Sequence, residues 1–377
     1  MKADWTYKKL GILATYINGY PFKPADWQTD GKTIIRIQNL NNPNAPYNLF
    51  GGEIDTRYIV RKGDVLISWS ASLGVYEWQI DREALLNQHI FKVVFNKENI
   101  NKGFFKYAVL SRINEMKNKV HGIAMQHITK KEFENTIIPV PPLVEQERIV
   151  SELDLLSEII DKQKAQLKEL DNLAQSIFYD MFGDPVENEK GWEVKKLGSI
   201  CDIGSGGTPS KKVNEFWEKG LIPWIGSNMC QNKVIYETDG KFITQLGLDH
   251  SSAKLLPIDT VIIALVGATI GKVGLLKTEC STNQNIAFAK PSSKINCYFL
   301  FYVIINLYRL FLEIGNGKFR MANLTFVNNL PIILPPLTLQ QQFAQKIENI
   351  EKQKEAITRS IADTQQLFDY TMDKYFG

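Results

Sequence analysis

Thiols, imidazoles and long apolar runs are all scarce in this 377-residue chain. The four cysteines, Cys201, Cys230, Cys280 and Cys297, lack paired metal-ligand spacing, which suits a reducing compartment and argues against a structural zinc site. The four histidines, His89, His121, His127 and His250, show no H-x-x-x-H or equivalent pattern, so no metal is expected. The longest apolar run, 297–312, is too short to span a bilayer and carries Asn306 and Arg309. It is expected to be a buried helix, with no membrane contact. The opening "MKADWTYKKLG" has no apolar signal core, and a cytoplasmic location is expected.

Catalytic motifs are missing as well. Adenine methyl transfer calls for a glycine-rich turn and an Asn/Asp-Pro-Pro-aromatic motif. "IPVPPL" (138–143) and "IILPPL" (332–337) have the prolines without the Asn or Asp before them or the aromatic after. "GSGGTPSKK" (204–212) lacks the spacing of a phosphate-binding loop, and Pro209 stands where a helix would have to start. Glu193 and Lys195, with Asp184 nearby, have nuclease-like spacing but no apolar strand around them. No catalytic constellation is expected in this chain.

What the chain does have is a repeat. "WTYKKLG" (5–11) recurs as "WEVKKLG" (192–198), and "NQHI" (87–90) recurs as "NQNI" (283–286). "GDVLISWSASLGVY" (63–76) is matched loosely by "TVIIALVGATIGKV" (260–273). "PPLVEQERI" (141–149) returns as "PPLTLQQQF" (335–343), and "FG" closes both halves at 182–183 and 376–377. Five landmarks in one order mean a tandem duplication. Each copy begins with a mixed region in which short β-branched runs such as 33–38 and 259–266 read as strands, and 103–120 as a helix. Each copy ends in a long helix with no internal Gly or Pro, its start marked by the proline pair.

Both helices carry a heptad seam with alternating steps of four and three. In the first it runs through Ile149, Leu153, Leu156, Ile160, Gln163, Leu167, Leu170, Ala174, Ile177 and Met181. In the second it runs through Phe343, Ile347, Ile350, Lys354, Ile357, Ile361, Thr364, Phe368, Thr371 and Tyr375. Mutual antiparallel packing of the two is expected. The fold class is therefore α+β: two pseudo-symmetric globular domains joined by two long antiparallel coiled-coil helices. The boundaries fall at 1–142 for the first domain, 143–183 for the central helix, 184–337 for the second domain and 338–377 for the C-terminal helix.

Charge points to a polyanion. Residues 1–142 hold 19 basic and 13 acidic groups, whereas residues 143–182 hold nine acidic and four basic. Basic globular regions on an acidic connector suit nucleic acid.

Variable basic regions, each followed by Pro-Pro-Leu-x-x-Gln and a long helix ending in Phe-Gly, resemble the specificity subunit of Type I restriction–modification systems. "CDIGSGGTPSKKVNEFWEKGLIPWI" (201–225) is similar to that family's region opening, and "INGYPFKPADW" with "IIRIQNLN" is its counterpart in the first copy. The first copy departs from the Gly-Gly-Thr-Pro form, having Gly-Tyr-Pro-Phe at 19–22. The resemblance implies a non-catalytic subunit with two target-recognition domains, each reading one half of a bipartite site in double-stranded DNA. It implies two methylation subunits as partners, restriction subunits in a full complex, and S-adenosylmethionine on the partners rather than on this chain. A self-sufficient enzyme and a protein-only coiled-coil scaffold are the competing classes. The missing motifs count against the first and the basic domains against the second.

Base reading draws on Arg or Lys for guanine and Asn or Gln for adenine. In the first domain this selects Lys23, Arg36, Gln38, Asn39, Ser70, Ser72, Lys119, His121, Gln126 and His127. In the second it selects Lys211, Lys212, Ser227, Asn228, Gln231, Lys272, Lys318, Arg320 and Asn323. Asn87-Gln88 and Asn283-Gln284 repeat between domains that should read different bases, so a shared structural role is expected for them. Glu145, Glu147, Glu152, Asp154 and Glu158 on the outer helix face are candidates for partner docking.

Overall fold

A computed structural model describes residues 4–70, 72–118, 129–314 and 321–377, without the side chains of 114–118. Two compact units divide the chain: Met1–Lys162 with Ile361–Gly377, and Gln163–Ser360.

In the first unit, Thr6–Lys9 pairs antiparallel with Ile137–Val140, just ahead of the central helix. An antiparallel sheet has the order Thr15–Asn18, Ile90–Val94, Val65–Ser68, Gly74–Glu77. A second sheet has the order Asn48–Phe50, Lys32–Ile35, Ala84–Leu86, Ile59–Val60, and its two middle strands are parallel. Tyr16, Ile67, Phe91, Phe104 and Phe105 form a core with Met372, Tyr375 and Phe376 of the C-terminal helix.

The second unit repeats this plan. Glu193–Lys196 pairs antiparallel with Pro331–Leu334. One sheet has the order Ile203–Ser205, Ile286–Ala289, Val261–Ala264, Val273–Leu276, Lys233–Ile235. The other has the order Phe242–Ile243, Ile222–Ile225, Cys280–Thr282, Leu255–Leu256. The two sheet orders match those of the first unit strand for strand, except that Lys233–Ile235 adds a fifth, parallel strand.

The repeated punctuation has a physical basis. Buried Gln146 donates to the Pro141 carbonyl at 2.8 Å and accepts the Asn101 N–H at 2.9 Å. Gln340 makes the same two bonds, at the same lengths, with Pro335 and Asn296. Asn101 and Asn296 in turn accept N–H groups at the start of the preceding helices, Lys102–Asn118 and Cys297–Asn306. One glutamine thus satisfies backbone groups exposed where a strand gives way to a helix. At the other end, Phe182 and Phe376 are fully buried, and Gly183 (φ 77°) ends the central helix in a left-handed conformation with its N–H on the Tyr179 carbonyl.

The long helices, Leu143–Phe182 and Leu337–Phe376, are 40 residues each. In the first unit Arg148 reaches the Tyr375 hydroxyl at 2.9 Å. In the second unit Gln163 donates to Ser360 at 2.7 Å, Lys354 meets Asp171 at 2.8 Å, and Phe178 packs on Phe343. In the second unit partner numbers fall on one helix as they rise on the other, so the helices run antiparallel there. Ile149, Leu153, Leu156, Ile160, Phe343, Ile347, Ile350 and Tyr375 are buried, whereas Leu167, Leu170, Ile357, Ile361 and Phe368 are half-buried.

Two expectations are corrected. The most buried positions near the end of the central helix are Ala174, Phe178 and Phe182, not Ile177 and Met181, which are half-buried. There the helix leaves the coiled-coil seam and packs on Phe299 and Tyr302 of the second-unit core, so the 3.6-residue period of a straight helix replaces the heptad. The 297–312 run is also two helices, Cys297–Asn306 and Tyr308–Leu312, parted at Leu307. The Asn306 side chain bonds back to the Tyr302 carbonyl at 2.8 Å, a contact that competes with helix continuation.

Candidate nucleic-acid interface

Each sheet-rich domain builds a polar site from a strand exit and a hairpin. Lys32–Ile35 lies parallel to Ala84–Leu86, and Ile222–Ile225 lies parallel to Cys280–Thr282, in the same register relative to the repeated Asn-Gln pair. The Asn87 N–H bonds to the Ile35 carbonyl, and the Asn283 N–H bonds to the Ile225 carbonyl. Ile35 and Ile225 are therefore equivalent; three and six residues further on stand Gln38 and Asn41 in the short helix Ile37–Asn41, and Asn228 and Gln231 in and just after the tight turn Ser227–Met229. The opening loop packs on the Asn of the pair in both copies: a Cβ on Gly19 or Gly206 would sit within 2.5 Å of the Asn87 or Asn283 backbone.

In the first domain, Asn41 accepts from the Tyr76 hydroxyl at 2.7 Å and from Ser72 at 3.4 Å, both on the hairpin side. Arg36 donates to Asn48 at 3.1 Å and lies 5.5 Å over the Trp27 ring. In the second domain, Gln231 accepts from Lys272 at 3.1 Å and donates to the Asn228 carbonyl at 3.0 Å. Lys272 forms no ion pair among the described residues.

Burial separates the sequence candidates. Lys23, Gln38, Lys211, Lys212, Asn228 and Gln231 are exposed, and Arg36, Ser72, Ser227 and Lys272 are half-buried. Asn39 is buried; its oxygen accepts the Arg36 N–H and its nitrogen donates to the Ala45 and Pro46 carbonyls. That side chain folds a turn and has nothing left for a base. Ser70 is buried too, and Asn323 is occupied capping Leu324–Asn328. Lys119, His121, Gln126, His127, Lys318 and Arg320 lie outside the described residues. Sequence reasoning missed Asn41 and Tyr76. Asn41 sits one residue inside a polar run whose members look alike until the strand register aligns the copies.

Several of the 19 basic side chains in residues 1–142 are tied up in ion pairs within that region, which leaves the net excess of six unchanged. Lys8, Lys32, Arg61 and Lys106 pair with Glu98, Glu83 and Glu77. Lys92 is buried on the Ile59 carbonyl, and burial lowers its pKa. Glu193 and Lys195 bind each other at 3.1 Å on an exposed strand, a surface ion pair rather than a nuclease centre. Burial pushes the thiols of Cys201 and Cys297 up to about 11 and those of Cys230 and Cys280 up to about 12. No group of His, Cys, Asp and Glu suited to a metal occurs among the described residues. No described helix is long and apolar enough to cross a membrane.

On the central helix, Glu145 and Glu152 bind Arg148, Asp154 accepts from the Tyr107 hydroxyl at 2.6 Å, and Glu158 binds Lys162. Val144, Glu147, Ser151, Leu155 and Glu158 form an exposed stripe opposite the seam. The equivalent stripe of the C-terminal helix is Thr338, Gln341, Gln345, Asn349 and Lys352, so the acidic character is not repeated.

The chain belongs to the family of the Type I restriction modification DNA specificity domain, whose model matches residues 2–172 and again 189–364. It is therefore a DNA-recognition component of a Type I restriction–modification system, a class without catalytic activity of its own. Among relatives, it is 24% identical to the MjaVIII specificity subunit of Methanocaldococcus jannaschii, over 95% of this chain and 90% of that one. It is 21% identical to the EcoBI specificity subunit of Escherichia coli, over 95% and 81%. The fold matches the crystal structure of the M. genitalium S subunit (TM-score 0.57, 14% identity, 100% and 97% coverage). A chain from a structural study of complex assembly and conformational transition of the Type I system also matches (TM-score 0.57, 20% identity, 100% and 98% coverage).

Proposed function

We propose that each recognition domain reads one half of a bipartite site in double-stranded DNA, and that the paired helices set the gap and dock two methylation subunits. The observation that carries this is the duplication itself. Two copies share sheet order, helix staples and terminal caps, yet differ in the side chains at the strand exit and in the hairpin residue that reaches them, Tyr76 in one and Lys272 in the other. A shared scaffold with different polar tips is what reading two different half-sites requires.

The exposed and half-buried candidates Lys23, Arg36, Gln38, Ser72, Lys211, Lys212, Ser227, Asn228, Gln231 and Lys272 supply the interface. Lys23, Lys211 and Lys212 set affinity through phosphates, and the remaining side chains contribute sequence. Lys119, His121, Gln126, His127, Lys318 and Arg320 remain candidates on their sequence alone. S-adenosylmethionine binds the methylation subunits, and restriction subunits complete the nuclease. The acidic stripe belongs to the central helix, so charge there steers one of the two docking events more than the other. The protein works in the cytoplasm, where the host DNA is.

The purified chain, alone and co-expressed with its methylation subunits, provides the test. The complex should shift duplex DNA and methylate adenines in a two-part motif, while the chain alone should transfer no methyl groups. Methyl transfer by the pure chain would overturn the reading.

A further inference from the structure

Asn41 and Gln231 each stand six residues past equivalent Ile35 and Ile225, and both are exposed. Each is held by a side chain from the hairpin of the other sheet in its domain, Tyr76 and Ser72 in the first and Lys272 in the second. The two clusters differ in chemistry while agreeing in position.

The hydrogen-bond inventory defines what each cluster can still bind. The Gln231 oxygen is taken by Lys272, and one N–H of its amide is taken by the Asn228 carbonyl. What remains is one amide N–H and two ammonium N–H groups: donors, with no carboxylate among the described residues in ion-pair contact with the ammonium. In the first domain the Asn41 oxygen is taken by two hydroxyls, and its amide N–H groups have no acceptor among the described residues. That cluster also presents donors, but it is neutral.

We propose that Gln231 with Lys272 is the guanine-reading element of the second domain, and that Asn41 with Tyr76 and Ser72 is the corresponding base-reading element of the first. In the major groove, guanine is the base that presents two adjacent acceptors, N7 and O6. A cationic group with several free N–H donors, fixed by a neighbouring amide, complements that edge. The neutral Asn41 cluster offers a single amide to one acceptor, so the first domain reads its base with weaker discrimination. This assignment rests on the bipartite reading above and adds residues and a base to it.

The experiment maps methylated sites produced by the complex with methylation subunits, for the wild type and for Lys272→Ala, Lys272→Arg and Asn41→Ala. Lys272→Ala should relax one G·C position in the second domain's half-site by about tenfold to a hundredfold and leave the other half intact. Lys272→Arg should keep the guanine, because arginine donates to the same two acceptors. Asn41→Ala should relax a single position in the first half, by a smaller factor. An unchanged motif with methylation lowered evenly at all sites, and a salt slope of binding reduced by about one, would make Lys272 a phosphate contact and overturn the proposal. A second half-site without any G·C pair would overturn it as well. If the wild-type complex methylates no bipartite site, the broader reading fails and this one with it, a result distinct from an intact wild-type motif that the variants leave unchanged.

Discussion

The two copies of this chain agree where the backbone needs support and disagree where side chains meet solvent. Gln146 and Gln340 make the same pair of bonds at the same lengths. Asn41 and Gln231 stand the same six residues past the aligned strands but differ in chemistry, one bonded by hydroxyls and the other by an ammonium group. Repetition therefore marks scaffold, and difference at an aligned position marks recognition. The seam obeys the same division less strictly. Ile160 is apolar, whereas its counterpart Lys354 is held by Glu351 and Asp171 at 2.8 Å each. Burial alone would lower the Lys354 pKa, but the two carboxylates outweigh it and raise it.

The largest expected effect concerns what both copies share, the helical pair. One heptad inserted after Gln163 and one after Ile357 keeps the seam in phase and lengthens the pair by about 10 Å. Mapping methylated sites should find both half-sites unchanged and the gap longer by about three base pairs. An active variant with the original gap would show that the helices do not set it.

The seam difference is probed by writing the first copy into the second. Lys354→Ile alone strands buried Glu351, which is 5% exposed, and should cost about 3 kcal/mol in urea denaturation. Adding Glu351→Ser, the first copy's residue at that place, should recover most of the loss. Failure of the double variant to recover would mean the pair has a further role.

The smallest expected effect tests sameness. Gln146→Ala and Gln340→Ala each leave a buried carbonyl and N–H unsatisfied and should each cost about 1–3 kcal/mol, by similar amounts. A large difference between the two melting shifts would break the claim of equivalence.

Much of this was legible in the sequence because repetition and periodicity are written in residue type. The duplication, the proline starts, the Phe-Gly ends and most of the seam can be read directly. The shift to Phe178 and Phe182 could not, because it depends on which neighbour the helix meets beyond Leu170. Asn39 looked like a reader and is a buried turn former, because an asparagine's two hydrogen-bonding ends serve a backbone as well as a base. Asn41 went unnoticed because its correspondence with Gln231, six residues past the aligned strands, emerges only from strand register. The fifth strand, Lys233–Ile235, is three residues long, too short for a periodic signal.

The central claim is that the two domains read DNA independently from one duplicated scaffold. Exchanging residues 1–142 for the matching domain of a relative, then sequencing the methylated sites made with the methylation subunits, tests it most directly. One half-site should change, while the other half and the gap stay as they were. A change in both halves would contradict the account.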